Sequence, residues 1–370
     1  MTSRYKEITA TGTPRQIGEQ IGEGLRDEIR GFDAIAMERT RKAVSISDES
    51  ALVVATDSIE RVRTYAPHLL EEMEGMAHSS GVSVEQLMLL QIRNQLQSDD
   101  GGRGVAPAQR IDSTAAPAEA GCTSFAISAE ASAVGSATGQ NWDNDVELDP
   151  HTVVLTRPPD DKPAFSTITQ AGLIAYIGVS DAGIGVCLNT LPAPARERGV
   201  PHYFTVRAIF ESRSLDEAAA AVRRAERAIP ANIMLATPQG PADFEVTLDD
   251  VFVLRDDDED GVVTHTNHCL HEDLVDINDE FLELIESVPR KCRIDELLGA
   301  AERPIARDDI ESVLCDHDNH PRSICRHPND HPTTGWWSSV FSILIEADNG
   351  RMHISRGNPC QNPYETYELN

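Results

Sequence analysis

The sequence predicts an α+β protein in which two antiparallel sheets lie between helical layers. Two observations point there. Residues 13–97 carry helical apolar periodicity almost throughout, and from residue 122 the chain breaks into short strand-like runs with helices before, between and after them. No internal repeat interrupts that order.

The helical part begins at Thr13, a natural N-cap, with Pro14 at the first helical position. Ile17, Ile21, Leu25 and Ile29 then recur every fourth residue, predicting an amphipathic helix over 13–44. Further helices are expected over 51–65, 69–79 and 83–97, the last opened by a Ser83/Gln86 capping box. Between 98 and 120 the pattern collapses into Asp, Gly, Pro, Ala and Ser, predicting a long flexible loop. Strands follow over 122–127, 134–141, 152–157, 164–170, 175–179 and 185–189. Helices over 203–212 and 215–228 precede strands over 233–236, 244–247, 251–255 and 262–266. Helices over 278–285, 289–298 and 307–314 come next, and strands over 338–347 and 351–356 close the chain.

Composition narrows the function. The 370 residues are 40% hydrophobic and 25% charged, enough for a substantial core. The net charge of -29 disfavours nucleic-acid binding, since a phosphate backbone would be repelled. Lys6, Lys42, Lys162 and Lys291 are the only lysines, and runs such as Asp256-Asp257-Asp258-Glu259-Asp260 add acid. Excess carboxylate with scarce lysine suggests a halophilic protein kept soluble in a salty cytoplasm, where salt screens self-repulsion. No apolar run is long enough to span a bilayer and the N-terminus lacks a signal-peptide core, so a soluble cytoplasmic protein is expected. Seven cysteines without a secretory signal read as free thiols.

One cysteine stands apart. Cys122 directly follows Gly121, at the start of a strand and just past the long loop. This is the layout of a self-cleaving precursor. Gly121 has no side chain to obstruct attack on its carbonyl, so the Cys122 thiol can take the acyl group and water can release it. Scission leaves an N-terminal cysteine whose α-amine, with a pKa of about 7.7–8.0, can accept the thiol proton near neutrality. Cysteine is also intrinsically a strong nucleophile. The loop would then supply slack for the new chain end to move away. Cys187, Cys269, Cys292 and Cys360 have no special context and read as ordinary thiols.

A second constellation competes. Cys315, Asp316, His317, Asp318, His320, Cys325, His327 and His331 crowd a short stretch whose inventory suits zinc. The spacing follows no standard zinc pattern, and Pro321, Pro328 and Pro332 suggest irregular loop. No metal and no cofactor are expected.

The run Gly121-Cys122-Thr123-Ser124, then Gly139-Gln140-Asn141-Trp142-Asp143, resembles the N-terminal-nucleophile hydrolases of the C45 family, the group of acyl-coenzyme A:6-aminopenicillanate acyltransferases. Gly18 and Gly22, Gly183-Ile184-Gly185-Val186 with Asn189, Gly199-Val200-Pro201 through Arg207, Thr266-Asn267-His268, Ser323-Ile324-Cys325-Arg326 and Gly357-Asn358-Pro359-Cys360 extend the likeness along nearly the whole chain. The resemblance implies a four-layer αββα sandwich formed by residues 1–370 as one domain. It also implies autoproteolysis at Gly121–Cys122, with residues 1–121 as the small chain and 122–370 as the catalytic chain. Cys122 would be the nucleophile, Asp143 the carboxylate orienting its amine, Asn267 the oxyanion donor, and Arg326 a cation lowering the thiol pKa. Ser124 would assist precursor cleavage. Ser180-Asp181 stands where the family often has Asn-Ser, so the penicillin substrate is not carried over.

The expected function is therefore a cysteine amidohydrolase or acyltransferase working through a Cys122 thioester. Its partners would be a small-molecule amide or acyl substrate and its own cleaved N-terminal chain, with a homo-oligomer an open possibility and no nucleic acid or membrane. Alternatives are a zinc-dependent hydrolase built on residues 315–331 and a catalytically silent scaffold of the same fold.

Overall fold

The computed structural model of the protein describes residues 3–42, 44–99, 121–159, 161–256, 260–280, 286–330 and 335–369. The expected slack loop beyond Asp99, His331 and Pro332, and residues 257–259 of the acidic run lie outside the described residues.

Helix α1 (Pro14–Gly24) starts as its sequence demands, with Thr13 and Gln16 forming a reciprocal capping box. The single helix expected to residue 44 is broken at Leu25, whose ψ of 23° lets α2 (Arg26–Thr40) leave in a new direction. The break frees α1 to lie against α4 (Pro67–Ser80) through glycines. A Cβ at Gly18 would stand 1.8 Å from the Glu72 carbonyl oxygen, and one at Gly75 would stand 2.2 Å from that of Arg15. Between α2 and α4 runs α3 (Asp48–Tyr65), capped by Ser47. Helix α5 (Val84–Ile92) has the Ser83/Gln86 box but stops before residue 97. Beyond it the polar side chains are buried and take tertiary bonds instead, as when Gln95 Nε2 donates to the Glu197 carbonyl at 2.7 Å.

The strands form two sheets. The larger runs β1 (Lys6–Thr9), β4 (Thr152–Arg157), β5 (Phe165–Gln170), β6 (Ile177–Ser180), β7 (Gly185–Asn189), β8 (Ala231–Ala236), β9 (Ala242–Val246) and β10 (Val251–Leu254). The smaller runs β11 (Val262–His265), β2 (Cys122–Ile127), β3 (Ala137–Asp145), β12 (Trp337–Glu346), β13 (Arg351–Arg356) and β14 (Tyr364–Glu368). All pairings are antiparallel except β1 on β4. Neither β1 nor β14 was expected: both are short edge strands that carry charged residues, as edges tend to.

The sheets meet face to face. From β2 and β3, Ser124 and Gln140 reach Asn189 and the Leu188 carbonyl of the larger sheet, and Trp142 reaches Tyr176 just before β6. The alternate residues Phe125 and Ile127 point the other way, packing with Ile294 and Leu298 of α9 (Ser287–Ala300) and Ile310 and Leu314 of α10 (Arg307–Leu314). Helices α1–α5 join the larger sheet in the main core, together with α6 (His202–Phe210) and α7 (Leu215–Arg224). The protein is thus the expected αββα sandwich. A short α8 (Ile277–Glu280) precedes α9. Among the described residues no helix is long and apolar enough to cross a membrane.

Candidate active site

Cys122 is the first residue of β2 and 2% exposed, opposite Trp142 of β3 in register. The bond before it is held on both sides. The Gly121 carbonyl accepts from the Asp143 amide at 3.2 Å, and the Cys122 amide donates to Asn267 Oδ1 at 2.8 Å.

Asp143 lies inside β3, which continues past the expected end at residue 141 to Asp145; it is a strand residue rather than a turn. Period-2 alternation puts its side chain on the helix-facing side, away from Trp142. Its Oδ1 accepts from Ser339 Oγ of β12 at 2.6 Å, while Oδ2, also buried, has no hydrogen-bond partner among the described residues. Burial pushes this carboxyl up to about 6, opposed by the charges of Arg290 and Arg326 and by the Ser339 bond. Burial likewise drives the Cys122 thiol well above its ordinary value, the Asp143 charge adds to the rise, and Arg290 works against it. Burial and the Asp143 charge both favour the protonated thiol.

Asn267 follows β11. Its backbone amide donates to Ser287 Oγ at 2.6 Å, and the same oxygen meets Thr266 Oγ1 and His268 Nδ1, tying residues 266–268 to the first turn of α9. The side-chain orientation follows from its partners: Oδ1 accepts from Cys122 N and Arg290 Nη2, and Nδ2 donates to the Thr190 carbonyl at 2.9 Å. Asn267 thus presents its oxygen to Cys122, and one N–H of its Nδ2 is engaged by Thr190.

Arg326 is 1% exposed rather than a surface ion-pair residue. Its amide donates to Ser339 Oγ at 3.1 Å and its carbonyl accepts from Ser339 N at 3.0 Å, so the hydroxyl that holds Asp143 also holds the Arg326 backbone. Its guanidinium meets Glu286 at 3.4 Å.

Sequence reasoning missed Arg290. Fully buried on α9, it donates through Nη1 to the Cys122 carbonyl at 2.5 Å and to Thr123 Oγ1 at 2.9 Å, and through Nη2 to Asn267 Oδ1 at 2.8 Å. A signal was available: Arg290, Ile294 and Leu298 share one stripe at helical spacing, and an arginine on a core stripe needs a buried partner.

Ser124 faces the other sheet and heads a polar chain. Asn189 Nδ2 donates to it at 2.7 Å and reaches Asn232, which binds Asp243. Beyond lies His265, 2.8 Å from Glu245. Burial pushes Asp243 up to about 7, against the pull of His265. Of the competing cluster, His317, Cys325 and His327 come together, joined by Cys360, with their ligand atoms within 4.8 Å of one another. Asp316 instead pairs with Arg293 at 2.8 Å, and Asp318 lies 3.7 Å from the same arginine.

Cys122, at a strand start, is thus gathered with a carboxylate, an amide and a guanidinium. The family model for acyl-coenzyme A:6-aminopenicillanic acid acyl-transferase matches residues 131–361. The chain belongs to that family. It is 26% identical to the 40 kDa form of the acyl-coenzyme A:6-aminopenicillanic-acid-acyltransferase of Emericella nidulans, over 98% of this chain and 95% of that protein. Among solved structures it is similar to penicillin V acylase from Agrobacterium tumefaciens (TM-score 0.47, 12% identity, 67% of this chain and 86% of that one). A mutant form of conjugated bile acid hydrolase from Clostridium perfringens is also similar (TM-score 0.42, 11% identity, 67% of this chain and 97% of that one).

Proposed function

We propose that the chain is a cysteine amidohydrolase or acyltransferase that first cuts itself at Gly121–Cys122 and then works through a Cys122 thioester. The observation that carries this reading is the clamp on that one bond, with its carbonyl on the Asp143 amide and its nitrogen on Asn267 Oδ1.

In the first step the Cys122 thiol attacks the Gly121 carbonyl, and the Asp143 N–H donates to the oxygen on which charge develops. The C–N bond breaks as the proton passes to nitrogen, and water hydrolyses the resulting ester-like link. The freed α-amine is left against Asn267 Oδ1, an acceptor suited to an amine or ammonium. Arg290 keeps the Cys122 carbonyl in place throughout. In the second step the amine takes the thiol proton, the thiolate attacks the substrate's amide carbonyl, and the acyl group passes from Cys122 to water or an amine. In this reading Asn267 holds the amine through its oxygen, and the second N–H of its Nδ2 is the donor left for the oxyanion role implied by resemblance.

Residues 1–121 would remain bound after the cut, because β1 pairs with β4 and α1–α5 share the core of the larger sheet. Intact-mass analysis of purified protein tests the reading. It predicts two fragments divided at Gly121–Cys122 that co-elute under native conditions, and neither fragment from Cys122→Ala. An uncut, inactive wild type would identify a silent scaffold. Acyl adducts on Cys122 after exposure to a panel of amides and thioesters would then report the acyl group and the acceptor.

A further inference from the structure

His317, Cys325, His327 and Cys360 converge on one point, although Cys360 lies far along the chain from the other three. Cys325 and Cys360 are placed with Sγ atoms 3.7 Å apart, His327 Nε2 stands 3.6 Å from the first sulfur and 3.3 Å from the second, and His317 Nε2 is 3.0 Å from His327 Nε2. A tetrahedral zinc with Zn–S of about 2.3 Å and Zn–N of about 2.0–2.1 Å requires edges of about 3.8 Å between sulfurs, 3.5 Å between sulfur and nitrogen, and 3.3 Å between nitrogens. These four edges follow that order and lie within a few tenths of an ångström of it, and the remaining two, from His317 to the sulfurs, are within 4.8 Å, so His317 closes on the metal by a small side-chain adjustment. The sulfurs are far beyond the bonded distance of a disulfide, about 2.05 Å. Two imidazole nitrogens and two thiols facing one another also leave a donor-rich knot that a soft divalent cation satisfies better than the groups satisfy themselves.

We infer that His317, Cys325, His327 and Cys360 form a structural zinc site. Two thiolates and two neutral imidazoles balance the charge of Zn²⁺, and binding releases the two thiol protons. Four protein ligands leave no open position, so the metal binds no substrate. The site therefore reverses the expectation of no metal without reviving a zinc hydrolase. Asn358 supports it from outside, its Nδ2 lying 3.7 Å from Cys325 Sγ and donating to the Arg326 carbonyl at 2.6 Å. The metal would staple residues 317–327, which have no regular secondary structure, to the stretch after β13. In doing so it would fix the backbone that carries Arg326. Cys315 and His320 are outside the ligand set, which explains why spacing within residues 315–331 matched no zinc pattern.

The test is metal analysis of the full-length chain after equilibration with zinc and desalting, and it does not depend on self-cleavage or activity. About one zinc per chain is expected. The content should fall to background in a Cys325→Ser, Cys360→Ser double variant and stay unchanged in His320→Ala. Should the double variant fail to fold, cobalt exchanged into the wild type should show the visible bands of a tetrahedral thiolate site. Wild type without bound zinc, zinc unchanged in a folded double variant, cobalt bands of an octahedral oxygen site, or a Cys325–Cys360 disulfide in place of metal would each overturn the assignment.

Discussion

Two buried centres in this protein each set two arginines around one carboxylate, and they treat it in opposite ways. At Glu72 of α4, Arg157 Nε donates to Oε1 at 2.7 Å and Arg207 Nη1 to Oε2 at 3.0 Å, so both oxygens are satisfied. Phe165 lies beneath both guanidiniums, and burial lowers Arg157 to about 10 against the pull of Glu72. At Asp143 the hydrogen bonds of Arg290 run to Cys122, Thr123 and Asn267, and that of Arg326 to Glu286, leaving the carboxylate one serine hydroxyl and a bare oxygen. A satisfied carboxylate locks helices to a sheet. An under-satisfied one, on the strand next to Cys122, keeps a raised pKa of about 6, the kind of perturbation that marks a candidate functional group.

The sharpest way to break this contrast is Asp143→Asn. Since the resemblance gives its carboxylate the orienting of the Cys122 amine that takes the thiol proton, the change should lower the acyl-transfer rate by about 10²–10⁴-fold, the range for impairing such a proton transfer, while the folded chain persists. Steady-state rates together with circular dichroism would check both halves, and a rate within a few-fold of wild type would remove Asp143 from the chemistry. Glu72→Gln should do the reverse. Leaving Arg157 and Arg207 without their anion should cost about 3–5 kcal/mol of stability, measured by urea unfolding, yet folded molecules should still split at Gly121–Cys122.

The pH dependence of Asp143 gives a third test. Its native pKa of about 6 is raised from 3.8, so its contribution is fully present below 3.8 and is lost as pH climbs to 6. The stability of wild type relative to Asp143→Asn should therefore fall across that window, by about 3 kcal/mol at most, and stay level above it. Paired thermal melts at pH 4, 5, 6 and 7 would show this, whereas a difference that rises with pH would mean that the arginines hold the carboxylate below its ordinary value. The smallest effect belongs to Gly18→Ala, which forces α1 off α4 near Glu72. It should destabilise by about 1–3 kcal/mol without changing the rate per folded molecule.

Much of the fold was legible. The expected bounds of Cys122–Ile127, Thr152–Arg157, Gly185–Asn189, Arg307–Leu314 and Arg351–Arg356 coincide with observed elements, because alternation and helical spacing are local signals. The Ser83/Gln86 cap was readable for the same reason. The Leu25 break was not, since the stripe of isoleucines runs on through it and only packing on α4 diverts the chain. The candidate site was legible in part. Cys122 and Asp143 stand in neighbouring strands whose pairing follows from the hairpin, whereas nothing near Arg290 in sequence names its partners.

By itself the sequence determined which segments are helix or strand, which cysteine begins a strand behind a glycine, and a strongly acidic chain. Each of these rests on neighbours within one turn or one hairpin. Only the tertiary structure decided that Arg290 closes on the Cys122 carbonyl, that Asn267 turns its oxygen to the Cys122 nitrogen, and that Cys360 joins the cluster of His317, Cys325 and His327. Those contacts join residues far apart in the chain, and their partners are chosen by sheet register and helix docking. The bond before Cys122 is thereby held at a convergence of β2, β3, α9 and the loop after β11 that no single stretch of sequence contains.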